Sequence, residues 1–158
     1  MSGLGMQRMT RKEFDAWRAP QIVEYAAEMA RNARRATDDL MAQSRREFAE
    51  LLPHGVDTPG HRLLIAFVPE TGRRIGWLWI AEREADGGKV AWIYDIVVEE
   101  NLRGRGYGRA LMAEAEVQAR EMGLTRIALN VFGDNAIARS LYGSSGYHET
   151  ARQMAKDL

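Results

Sequence analysis

The sequence predicts a mixed α/β or α+β domain, with helices first, then an antiparallel meander, then alternating strands and helices. Three observations carry that reading. Apolar residues recur at helical spacing through the first third of the chain. From Arg62 the pattern changes to short β-branched and aromatic runs separated by turn residues. Beyond Glu100 strand-like and helix-like segments alternate.

The first helix begins at Thr10, whose spacing to Glu13 is that of a capping box, and Phe14 and Trp17 open its apolar stripe. Pro20 is expected to kink or restart it, because proline has no N–H to give; Ile22, Tyr25, Ala26 and Met29 then resume the stripe. Thr37 or Asp38 can cap a second helix that turns Leu40, Met41, Phe48, Leu51 and Leu52 inward. PHGVDTPGH (53–61) is a loop by composition. RLLIAFVP, RRIGWLWIAER and KVAWIYDIVV are separated by ETG and EADGG, so three antiparallel strands are expected. A helix from Tyr107 to Met122 should bury Leu111, Ala115, Ala119 and Met122 and stop at Gly123. RIALNVF reads as a strand, DNAIARSLYGSSG as a short helix with its exit turn, and YHETARQMAKDL as a final strand.

Composition narrows the function classes. The chain of 158 residues, 46% hydrophobic and 28% charged, suits one domain over residues 1–158 with a substantial core. Basic and acidic residues balance at 22 each, so no bulk field attracts nucleic acid; the RNARR cluster at Arg31–Arg35 reads as a solvated helix end. No apolar run reaches membrane-span length, and MSGLGMQRMT lacks a signal-peptide core. The absence of cysteine excludes disulfides, thiolate metal sites and an acyl-cysteine intermediate. The expectation is a cytoplasmic protein that does not bind a membrane. His54, His61 and His148 lack metal-ligand spacing, so no metal is expected, and the first two read as surface residues. Trp77 and Trp79 share one strand face and Trp92 lies on the next strand; all three read first as packing.

Chemistry concentrates in IYDIVVEENLRGRGYGRALMAEAE (93–116), where Gly104, Gly106 and Gly108 join an apolar strand to a helix. The first N–H groups of a helix have no intrahelical acceptor, and its dipole is positive there, so such a junction suits an anion. Glycine lets backbone approach phosphate, and Arg103, Arg105 and Arg109 add cationic donors. A dinucleotide fingerprint from Gly104 would need glycine where Arg109 stands, and no Walker A motif occurs.

Arg103-x-x-Gly106-x-Gly108 resembles the acyl-CoA pyrophosphate loop of the GCN5-related N-acetyltransferase (GNAT) superfamily. Upstream, IYDIVVEENLRG is similar to that family's fourth strand and turn. Downstream, NVFGDNAIARSLYGSSGY resembles its second signature, an Asn opening a short helix and a Leu-Tyr pair before Gly-aromatic. The motif similarity spans roughly Trp92 to Tyr147, and the order of elements matches elsewhere. The resemblance implies a GNAT-like fold: a central mixed, mostly antiparallel twisted sheet flanked by helices and splayed between strands 4 and 5. It also implies an N-acetyltransferase that moves acetyl from acetyl-CoA, as cosubstrate, directly to a primary amine on a small molecule or a protein. The alternative is a non-catalytic acyl-CoA sensor of the same fold. A homodimer is common among such proteins.

Residue by residue, the resemblance places the pyrophosphate on the amides of Arg103, Gly104, Arg105, Gly106, Tyr107, Gly108 and Arg109. The pantetheine arm falls along Val97 and Val98, and Asn135 matches the Asn that contacts the cosubstrate while also serving as a helix cap. Tyr142 matches the tyrosine near the thioester sulfur; it can donate to the departing sulfur or stand as a half-buried core residue. Asp95 is a carboxylate within an apolar strand, and by alternation it faces away from Trp92, Tyr94 and Ile96. It can act as general base, hold the substrate ammonium, or serve a structural ion pair. Asn130 is a weaker candidate for polar contact.

Overall fold

The computed structural model describes residues 3–85 and 87–158. Its elements run β1 (Gly5–Arg8), α1 (Arg11–Ala33), α2 (Thr37–Leu51), β2 (His61–Phe67), β3 (Arg74–Ala85), β4 (Gly88–Val98), α3 (Tyr107–Glu121), β5 (Ile127–Leu129) and α4 (Ala136–Ser144). The strands form one sheet in the order β1-β2-β3-β4-β5. All neighbours are antiparallel except β4 and β5, which are parallel. The expected mixed, mostly antiparallel sheet flanked by helices is therefore the observed one, and the expected meander is β2-β3-β4.

The sheet carries a core on each face. Leu64, Leu78, Ile80 and Ile93 pack with Leu111, Met112, Ala115 and Ala119 of α3 on one side. Leu63, Ile65 and Trp79 pack with Phe14 and Trp17 of α1 and Phe48 of α2 on the other. Burying such a side chain is worth about 1.5–3 kcal/mol, so each helix is anchored by its inward stripe. Thr10 caps α1 with the full reciprocal capping box to Glu13. The exit of α3 uses Gly123 in the left-handed region, as its position suggested.

Several expectations need correction. Pro20 does not restart the helix: α1 runs from Arg11 to Ala33 with the proline inside it. Its turn, Arg18 to Pro20, is exposed, and so is Ala16, whose carbonyl loses the helical bond and can turn to water. The second helix begins at Thr37 after Ala36, with no side-chain cap, and Asp38 and Asp39 in its first turn complement the dipole instead. The segment Gly5–Arg8, not anticipated as a strand, pairs with β2 from Gly5↔Phe67 to Arg8↔Leu64. RIALNVF contributes only Ile127–Leu129 to the sheet. The expected last strand is absent: residues 148–158 are exposed surface chain without strand pairing. Their polar sequence offers no alternating apolar face, and Glu149 instead pairs with Arg139 and Arg152. No helix among the described residues is long and apolar enough to cross a membrane.

Candidate active site

Between β4 and α3 the chain makes a short helical turn, Glu100–Leu102, pinned by the buried Leu102. Gly104 (φ 73°) and Gly106 (φ 84°) then adopt left-handed backbone that other residues rarely enter. Gly106 is the N-cap of α3; it supplies no side-chain cap, and the first turn contains no acidic residue. The leading amides of α3 are left to an outside acceptor, and a Cβ on Gly104 would meet nothing within 4 Å. Gly108 has a different task. A Cβ there would sit 3.2 Å from Leu141 Cδ2, so this glycine lets α3 approach α4. Arg103, Arg105 and Arg109 are exposed around the loop. Arg103 Nε donates to the Val98 carbonyl (3.1 Å), and Arg109 Nη2 reaches Ser144 Oγ (3.4 Å). The cradle fits an anionic diphosphate: open backbone, dipole and exposed cations around the loop.

β4 is flanked by strands on both sides only from Ala91 to Ile93. β5 pairs with Ala91, Trp92 and Ile93 and then leaves. From Tyr94 to Val98 the β5 side of β4 has no strand partner, which is the splay expected between strands 4 and 5. Val97 and Val98 both lie on this stretch. The Val97 carbonyl faces β3, since a Cβ on Gly76 would collide with it, whereas the Val98 carbonyl turns outward to Arg103.

The orientation of Asp95 is not that given by simple alternation. β3 pairs Trp79 with Asp95 but Ile80 with Ile93, so Tyr94 is an extra residue, a bulge. The bulge puts Tyr94 and Asp95 on one face. Tyr94 stacks on Trp79 at 4.6 Å, and Asp95 Oδ2 accepts from Trp77 Nε1 at 2.7 Å. Trp92 shares that face, since Arg83 lies over the rings of both Trp92 and Tyr94; only Ile96 joins the opposite core. Asp95 thus looks toward α1. Burial pushes its carboxyl up to about 6, opposed by donation from Trp77 and the Ile96 N–H and reinforced by Glu24.

Tyr142 lies in the same electrostatic neighbourhood. Burial raises its phenol to about 12, with Asp95 and then Glu28 adding to the rise, so the hydroxyl remains a donor across the neutral range. Asn135 caps α4 through Oδ1, which accepts from the Ala138 N–H at 3.1 Å. Asn130 is exposed just beyond β5. Asp95 thus stands on the open stretch of β4, and its charge reaches the Tyr142 phenol, whose ring packs with the α3-side core.

Two residues of this neighbourhood escaped the sequence reading. Glu28 of α1 is half-buried, and its carboxyl is pushed up to about 7 by burial first, then by Asp95 and Glu24. Its signal was a carboxylate set inside the apolar stripe of Tyr25, Ala26 and Met29. Trp77 was read as packing, yet it grips Asp95. His61 also differs from expectation: it is half-buried, accepts from Trp79 Nε1 at 3.0 Å and stacks on Tyr94. The α1 wall is tied across to the loop before α4. Asp134 accepts from Arg31 Nε (3.2 Å) and Asn32 Nδ2 (3.0 Å), and Tyr25 lies 6.3 Å from the Phe132 ring.

Comparison with known proteins agrees with this geometry. The family model for the acetyltransferase (GNAT) family matches residues 21–147. The uncharacterized N-acetyltransferase YycN of Bacillus subtilis (strain 168) is 34% identical over 150 residues, covering 95% of this chain and 96% of the relative. The crystal structure of YycN from Bacillus subtilis superposes with a TM-score of 0.90 at 33% identity, covering 98% of each chain. At 19% identity and a TM-score of 0.63, covering 99% of each chain, the fold is also that of AAC(6')-Iy, solved with the bisubstrate analogue CoA-S-monomethyl-acetylneamine.

Proposed function

Because the chain belongs to the acetyltransferase (GNAT) family, we propose that it transfers acetyl from acetyl-CoA directly to a primary amine. The observation that carries this reading is the uncapped, glycine-opened start of α3 directly after the open stretch of β4 that holds Asp95, whose charge also reaches the Tyr142 phenol.

Each group then has a task. The amides and arginines from Arg103 to Arg109 hold the diphosphate. The edge of β4 at Val97 and Val98 guides the pantetheine arm, and Asn135 supports it from the cap of α4. Strand amides stabilise the charge that builds on the thioester oxygen as the amine attacks. The amine arrives as an ammonium, with an ordinary pKa of about 10.4, and must lose a proton first. Asp95, ionised above about 6, accepts that proton directly or through water, with Glu24 and Glu28 drawing the cation toward it. Tyr142, still protonated, donates to the sulfur as it leaves. Positioning of the two substrates supplies much of the remaining rate.

The decisive measurement is calorimetric titration with acetyl-CoA, followed by thiol detection against spermidine, neamine and a lysine-containing peptide. Binding with amine-dependent thiol release supports transfer. Binding without release would favour an acyl-CoA sensor, and no binding would overturn both readings. In the same assay Tyr142→Phe should lower kcat at least about tenfold with acetyl-CoA affinity retained; an unchanged kcat would remove the donor role.

A further inference from the structure

We propose that Trp77 is a positioning residue for Asp95: its indole N–H holds one carboxylate oxygen so that the ionised group is presented toward α1 and Tyr142. The inference rests on the reading of Asp95 as proton acceptor. It adds a residue that lies outside the loop and helix signatures.

The geometry is specific. Trp77 sits opposite Val97 and Trp79 opposite Asp95, so the indole reaches diagonally across the ladder to make its 2.7 Å bond. Three features make that reach available. The bulge at Tyr94 turns Asp95 onto the tryptophan face. Gly76, just before Trp77, admits no Cβ, because one would strike the Val97 carbonyl, so β3 lies tight against β4 there. The Arg74 guanidinium covers the Trp77 ring at 5.6 Å and is itself paired with Glu99 at 3.2 Å, which restrains the ring from outside.

The chemical need is equally specific. The ionisable groups facing Asp95 are Glu24 and Glu28 from α1 and the Tyr142 phenol from α4; Arg31 moderates Glu28, and Asp134 reinforces it. Neither the acids nor the phenol favours a charged Asp95, and burial opposes it most. Indole N–H is a donor that cannot accept the proton it helps to organise. With the Ile96 N–H, it favours the carboxylate form without neutralising it through an ion pair. A lysine or arginine in that place would offset the charge that the incoming ammonium must meet.

The test uses the full chain. Indole N–H signals of its four tryptophans are followed by NMR from pH 4.5 to 8. One signal, lost in Trp77→Phe, should titrate with a midpoint near 6 and stop titrating in Asp95→Asn. In the thiol assay, Trp77→Phe should move the acidic limb of kcat/KM upward by about one pH unit. Acetyl-CoA affinity should be unchanged. An indole titration that persists in Asp95→Asn, or an acidic limb that stays put while activity falls uniformly, overturns the proposal. If no amine releases thiol, the transfer reading fails, while the indole titration still decides whether Trp77 holds Asp95. If Trp77→Phe does not fold, the parent and Asp95→Asn titrations make the same decision.

Discussion

The two halves of β4 are built from similar residues and do different things. From Gly88 to Ile93 the strand lies beside β3, and its last three residues there also pair with β5, feeding Ala91 and Ile93 into the core. From Tyr94 to Val98 it keeps β3 but loses β5, and its side chains are half-buried. The break falls at the bulge. One extra residue ends the alternation, re-aims Asp95 and coincides with the departure of β5. The closed half is held on two sides, and the open half leaves one edge free.

The comparison can be broken at the open half first. Asp95→Asn keeps an acceptor for Trp77 but removes the base, and should lower kcat/KM by about 10²–10⁴ at pH 7.5. The same variant should unfold at higher temperature than the parent at that pH. A carboxyl with a raised pKa holds more protons folded than unfolded between the two values, so ionising it destabilises the fold as pH rises through that window. A variant that loses activity but gains no stability would argue against a desolvated Asp95.

Gly76→Ala attacks the seam that joins the halves to β3. Its Cβ would collide with backbone at Val97, so a loss of about 3 kcal/mol or more is expected in urea unfolding. Glu28→Gln is gentler. Between about pH 4.5 and 7 the parent should lose stability that the variant keeps, a gain of about 1 kcal/mol at pH 8 after solvent screening and none at pH 4. Equal pH dependence in parent and variant would count against a raised Glu28. Last, Ile93→Val in the closed half should cost about 0.5–1.5 kcal/mol of stability and leave acetyl-CoA affinity unchanged. A large affinity change would mean that the halves are not separable.

How legible the molecule was from sequence follows the same division. The glycine loop, the start of α3, and Asn135 and Tyr142 on α4 are local patterns, so their spacing could be read directly. The meander was legible because each of its three strands is marked by composition and turns. Asp95 was found as an anomaly, a carboxylate in an apolar run, but its direction was misread, because a bulge leaves no trace in alternation. Glu28 and Trp77 were missed for a related reason: their partner Asp95 lies on another element, reached by Glu28 from α1 and by Trp77 across the β3–β4 ladder. A restart at Pro20 and a strand at the C-terminus were misjudged because both segments are exposed: α1 continues through the proline, and the polar C-terminal chain has no face to bury.

The Arg103 bond to the Val98 carbonyl has a consequence beyond holding a loop. An unpaired strand edge is a template on which a second chain can add itself, and proteins that keep one must guard it. Here the bulge at Tyr94 interrupts the ladder, and Arg103 occupies the outward Val98 carbonyl that an added strand would need at that end of the edge.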